Sequence, residues 1–101
     1  MTTTRIFLLT LGLAACSSQI PTLKEWSDPL IGRKVGELRA LEADPGSYAS
    51  RTGWQIRSYH LGNGNWVYVH PDRPNCDIHF EINRDDTIVG YTPMGAGCRH
   101  Q

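Results

Sequence analysis

The chain has 101 residues, 40% of them hydrophobic and 20% charged, which is enough for one small globular domain and too little for a second. Ten basic side chains cancel ten acidic ones. No field is left that could hold a polyanion, so DNA or RNA binding is not expected.

The first element is a targeting segment. A polar start, MTTTR, carries one positive charge at Arg5, and Ile6 to Leu13 follow as a mostly apolar run of about eight residues, the form of a signal-peptide h-region. A bilayer core needs roughly 20 apolar residues in a helix, so the run reads as a signal and not as a membrane span. It ends in Leu13, Ala14, Ala15 and Cys16, a sequence that resembles the lipobox of bacterial lipoproteins. The resemblance implies cleavage before Cys16, a diacylglycerol on its thiol and acylation of the new amino group. The alternative is an ordinary secretory signal in which Cys16 is incidental. Each buried methylene contributes about 0.8 kcal/mol, so two or more acyl chains make a stable anchor. Ser17 and Ser18 stand where many inner-membrane lipoproteins carry an aspartate, and the resemblance therefore points to the outer membrane, with the protein facing the periplasm. The expected organisation is a signal peptide over 1–15, a lipidated tether over 16–21, a domain over 22–98 and a tail over 99–101. Cleavage removes Arg5 and no acid, leaving a mature net charge of −1. So short a polar tether keeps the domain within a few tens of Å of the lipid.

The domain opens helically. TLKE has the form of a capping box, with Thr22 accepting from the amide three residues on and Glu25 reaching back. Leu23, Trp26 and Leu30 share a face at helical spacing, and Pro29 limits regular helix to about residue 27 or 28. Gly32 breaks the segment. A second amphipathic helix is predicted from about Lys34, with Val35, Leu38 and Leu41 inward at threefold spacing and Glu37, Arg39 and Glu42 outward. Asp44 to Ser47, DPGS, ends it.

After residue 53 the pattern turns to strands. WQIRSYHL (Trp54 to Leu61) and WVYVH (Trp66 to His70) flank Gly62 to Asn65, and Asn63-Gly64 suits a tight type I′ hairpin turn. PDRPN separates this hairpin from the next. Cys76, Ile78, Phe80 and Ile82 then alternate with Asp77, His79, Glu81 and Asn83, the cleanest period of two in the chain. RDD turns the chain, and Thr87 to Pro93 returns it as a fourth strand. The predicted fold is α+β: two short N-terminal helices packed on a four-stranded antiparallel meander. After lipidation two cysteines remain, Cys76 and Cys98. An even count in an exported chain points to a disulfide, here clamping the open end of the last hairpin. A reactive thiol or a metal pair is the alternative, but no C-x-x-C spacing is present. Closing a loop of about 23 residues is worth roughly 3 kcal/mol in the chain-entropy account.

Gly32, Leu38 and Pro45, then WVYV, then IHFEINRDDTIVGY, resemble the helix–helix–sheet pattern of small outer-membrane lipoproteins of the SmpA/BamE type, a fold also seen in β-lactamase-inhibitor proteins. The likeness covers about residues 30 to 92. A nearer likeness is to envelope lipoproteins in which C-x-I-x-F-x-I and a terminal glycine pair leading into a cysteine flank the last hairpin, as Cys76 to Ile82 and Gly95 to Cys98 do here. The chain departs from the SmpA pattern in Ala43-Asp44-Pro45, where Gly-x-Pro is usual, and in its extra cysteines.

Candidate chemistry is sparse. His60, His70, His79 and His100 could bind zinc or copper, but no pair has close ligand spacing. The acids at Asp72, Asp85 and Asp86 read as turn residues, and no serine carries a nucleophile signature. Catalysis, a cofactor and a small-molecule substrate are not expected. Trp54, Tyr59, Trp66, Tyr68 and Tyr91 outnumber what so small a core can hold, so some are expected on an exposed face. Trp66, Tyr68 and His70 lie on one side of a strand and are the candidate contact surface. The expected function is a lipid-anchored binding or scaffold module that engages an envelope protein near the outer membrane. A periplasmic hydrolase inhibitor is the second expectation and a metal-binding lipoprotein the third.

Overall fold

Alternation in the second half of the chain sets the architecture. In the computed structural model, which describes residues 21–98, Arg57–His60 (β1), Trp66–Arg73 (β2), Cys76–Ile82 (β3) and Ile88–Met94 (β4) form one antiparallel sheet in the order β1-β2-β3-β4. Cys16 and His100, with the rest of residues 1–20 and 99–101, lie outside the described residues. Directly paired residues share a face of a sheet. The rows Trp66–Ile82–Ile88, Tyr68–Phe80–Tyr91 and His70–Ile78–Pro93 therefore lie on one face. Leu23, Val35 and Leu38 pack onto that face from the helical part, against Ile78, Phe80, Ile82 and Ile88. The fold is α+β, with one disulfide.

The helical part differs from the expected pair. The described residues hold three α-helices, Leu23–Ser27 (α1), Val35–Ala43 (α2) and Tyr48–Thr52 (α3), with a 3₁₀ turn at Asp28–Leu30. At α1 the capping box is formed as the TLKE spacing predicts: the Glu25 amide donates to Thr22 Oγ1 at 3.0 Å, and the Thr22 amide to Glu25 Oε1 at 2.8 Å. The third helix escaped the sequence because it has one turn and no apolar stripe beyond Ala49. What starts it is Ser47, whose hydroxyl accepts from the Ser50 amide at 3.1 Å. Between α1 and α2, Gly32 and Arg33 pair with Ile88 through two backbone hydrogen bonds of 2.8 Å, which ties the chain to the start of β4.

Three strand details also differ. The first strand is shorter than Trp54 to Leu61, and the second continues beyond His70 to Arg73. Pro71 is tolerated there because the pairing with β1 stops at Arg57–Val69, leaving β2 without a strand partner on that side. The hairpin turn is not type I′. Only Gly64 takes positive φ (+91°), while Leu61 donates to Asn65 O at 2.9 Å, a three-residue loop with a glycine bulge.

The outer face of the sheet carries a device of its own. Val67 and Val69 of β2 point away from the core and are nonetheless buried, at 5% and 2% exposure. Side chains from either side bridge over them: Arg57 Nη2 to Asp77 Oδ2 at 2.8 Å, Tyr59 Oη to His79 Nδ1 at 2.9 Å and Asn65 Nδ2 to Glu81 Oε2 at 2.7 Å. Polar straps thus cover apolar side chains on the face turned away from the core.

Cys76 and Cys98 are bonded. The terminal Gly95-Ala96-Gly97-Cys98 makes this possible, because the chain after β4 passes directly against the β2–β3 turn. A Cβ on Gly95 would lie 2.1 Å from Asn75 O, and one on Gly97 would lie 2.3 Å from Pro74 O. Only glycine permits that approach.

Candidate functional site

The site is built around Glu42, which the sequence placed on the outer side of its helix. An α-helix turns every 3.6 residues, so a face that begins at Val35 and Leu38 continues at the fourth residue on, Glu42, and not at the third, Leu41. Glu42 is accordingly turned inward, its side chain 9% exposed, and Leu41 is 50% exposed. The expected positions of Leu41 and Glu42 are thus exchanged.

Pro45 ends α2 immediately afterwards, and the Asp44 carboxylate accepts from the Gly46 amide at 3.1 Å. The tight return brings α3 back over the end of α2, where the hydroxyls of Ser47 and Ser50 donate to the Glu42 carbonyl at 2.8 and 2.7 Å. The Glu42 carboxylate reaches across to β2. Oε1 accepts from the Tyr68 hydroxyl, and Oε2 lies 2.5 Å from His70 Nδ1, which donates because a carboxylate can only accept. Trp26 of α1 stacks on the imidazole, with ring centroids 5.0 Å apart and planes inclined by 17°. One side chain therefore joins α2 to β2, while its carbonyl fastens α3. Burial, and then the hydrogen bond to Glu42, push the Tyr68 hydroxyl above its ordinary value, so it stays a donor.

This corrects the expected contact surface. Trp66, Tyr68 and His70 share a face as the period of two requires, but that face is the inner one. Tyr68 is 2% exposed and His70 8%. Trp66 is half-buried, edge-on to Tyr68 with centroids 6.4 Å apart. Period two fixes which residues go together; it does not say which side the helices cover.

Two grooves open on either side of Glu42. The larger, about 550 Å³, runs between α2, α3 and the segment leading into β1, and is lined by Ala40, Ala43, Ala49, Trp54 and Ile56 with Arg39 at its rim. The smaller, about 270 Å³, is lined by Trp26, Leu41, Tyr48, His70 and Asp72. Arg39 forms no ion pair among the described residues. In the larger groove the two central polar groups, the Tyr68 hydroxyl and the Glu42 carboxylate, are bonded to each other. The groove thus presents apolar surface and one cation.

The remaining histidines do not gather. His60 lies exposed on β1, and His79 lies on the strapped face, where burial lowers its pKa against the opposing pull of Asp77. Among the described residues no group of three or more His, Cys, Asp or Glu side chains could hold a metal ion. A second carboxylate, that of Asp28, is structural. It accepts from Lys24 Nζ at 2.6 Å and from Tyr91 Oη at 2.6 Å, pinning the 3₁₀ turn to β4. Those bonds, Lys24 first, hold its carboxyl below the usual range.

The sequence missed Glu42, Trp26 as a ring partner of His70, and Arg39. A strict 3.6-residue count along α2 is the signal that finds Glu42. No family model, curated protein or solved structure matches the chain.

Proposed function

We propose that the chain is a lipid-anchored envelope protein of the SmpA/BamE-like kind, held at the outer membrane through Cys16. Its stapled domain acts as a binding or scaffold module for an envelope protein and carries out no catalysis. The observation that best supports this reading is the larger groove beside Glu42. Its walls are small or apolar side chains, and its central hydroxyl and carboxylate are spent on each other. Arg39 at the rim has no counter-ion among the described residues. Such a groove recognises by shape and charge: it fits an apolar helix or loop that brings a carboxylate to Arg39.

Site-specific photo-cross-linking from Ile56, which lines the groove and is 59% exposed, tests the reading in intact cells. A discrete adduct with one envelope protein is expected, weakened by Arg39→Glu. Recovery of the uncross-linked chain alone, from Ile56 and from Ala40, sinks the binding role. Anchoring is tested separately: labelled palmitate should enter the protein and be lost in Cys16→Ser.

A further inference from the structure

We infer that the surface formed by α1, the 3₁₀ turn and the outer flank of α2 rests on the bilayer itself, so that the domain is held in one orientation and not merely kept nearby. The inference deepens the proposed function and rests on its lipidated Cys16.

The length of the tether and the point where it enters the fold supply the first argument. Residues 17–21 separate Cys16 from Thr22, the cap of α1. Fully extended, five residues span at most about 18 Å. The helix that follows has five residues and adds only about 7.5 Å. The surface around α1 is therefore the part of the domain that the anchor brings closest to lipid.

That surface has the composition of an interfacial one. Trp26, Pro29, Leu30 and Leu41 line a shallow groove of about 250 Å³ between the 3₁₀ turn and α2. Ile31 beside it is 45% exposed and Leu41 50%. Leu30, Ile31 and Leu41 thus stay open or half-open on the flank where the tether enters, next to an indole. The cations there are neutralised in place: Lys24 pairs with Asp28 at 2.6 Å, and Arg33 with Glu37 at 2.5 Å. Apolar surface, a tryptophan and long basic side chains with their own counter-ions suit the headgroup boundary, where the rings and aliphatic stems are buried and the charged heads stay in water.

The arrangement also leaves the other groove free. Glu37 and Leu41 lie on one flank of α2, and Gly36, Ala40 and Ala43 on the opposite flank, with the core between them. Resting on lipid with the first flank turns the second, and Arg39 with it, toward the periplasm.

The test uses the full-length lipidated protein in vesicles of phosphatidylethanolamine and phosphatidylglycerol with brominated acyl chains. In one variant, Trp54→Phe with Trp66→Phe, Trp26 is the remaining tryptophan; in a second, Trp26→Phe with Trp66→Phe, only Trp54 remains. Both should float with the vesicles. Trp26 emission should be strongly quenched and shifted to the blue, Trp54 emission should not, and adding Leu41→Glu should abolish most of the Trp26 quenching without releasing the protein. Should the tryptophan variants fail to fold, hydrogen exchange of the unsubstituted protein in vesicles serves instead, with slowing at Trp26 to Ile31 expected and lost in Leu41→Glu. Flotation with Trp26 quenched no more than Trp54, or with no slowing, overturns the docking and leaves the anchor standing. Failure to float removes the anchor. Shielding of Trp26 only when envelope proteins are added assigns the surface to a protein partner and overturns the inference.

Discussion

Glu42 and His70, 28 residues apart in the chain, meet at 2.5 Å between Oε2 and Nδ1, both side chains almost wholly buried. The contact is what fastens the end of α2 to the middle of the sheet, and the Tyr68 hydroxyl completes it from the same strand. Removing the carboxylate leaves two buried donors without an acceptor, at a cost of roughly 1–3 kcal/mol each. Glu42→Ala should therefore lower the urea midpoint substantially at an unchanged slope. Glu42→Gln retains one acceptor oxygen and should lose less. A midpoint unmoved by Glu42→Ala would mean that the pair contributes nothing to stability.

The exchange of Leu41 and Glu42 makes a second, sharper contrast. Leu38→Ala opens a cavity in the core and should cost about 2–5 kcal/mol. Leu41→Lys, at a half-exposed position, should stay within about 0.5 kcal/mol in the soluble domain. Thermal melts of both variants beside the parent check the order, which a helix facing inward at Leu41 would reverse.

Gly95 and Gly97 are required by the backbone opposite them. Gly97→Ala places a methyl against Pro74 O and should force the tail off the β2–β3 turn, moving Cys98 away from Cys76. The expected result is free thiol in the purified oxidised protein and a loss approaching the roughly 3 kcal/mol of the disulfide itself. Thiol titration under denaturing conditions reads the first, and melts with and without reductant read the second. Gly36→Ala, where an added Cβ meets nothing within 4 Å, is the control that should retain the disulfide.

His79 supplies a pH dependence. Burial holds its pKa below the ordinary 6.5, with Arg57 acting in the same direction and Asp77 against it. Below that ordinary value the unfolded chain binds the proton more readily than the folded one. Stability is thus complete above pH 6.5 and is lost as pH falls through the depressed folded value. Urea unfolding measured between pH 7 and pH 5 should show this decline, and His79→Gln should flatten it. An identical slope in the variant would place the proton uptake elsewhere.

Much of this protein is local and was legible in its residues. The period of two in Cys76 to Ile82 named the core side chains of β3 correctly, because side chains of a strand alternate whatever lies on either side. The capping box at Thr22 and Glu25, the order of the strands and the pairing of Cys76 with Cys98 likewise depend on short-range geometry and on counting. The hairpin at Gly64 was legible as a turn and not as a type, since one positive φ angle or two is decided by how the flanking strands twist.

Whether a face is inside or outside was not written locally. Trp66, Tyr68 and His70 could be grouped by spacing, but only the docking of α1 and α2 decided that their side of the sheet is the covered one. A strict 3.6-residue count turns Glu42 inward, but which donors hold its carboxylate there was decided only when Tyr68 and His70 came to stand opposite it. A buried carboxylate is tolerated only where donors from distant parts of the chain converge on it. The same holds for Val67 and Val69, buried under straps such as Arg57–Asp77 and Tyr59–His79, whose two ends come from β1 and β3. Sequence spacing sets which atoms travel together; the free energy of burying them depends on what arrives from the rest of the fold.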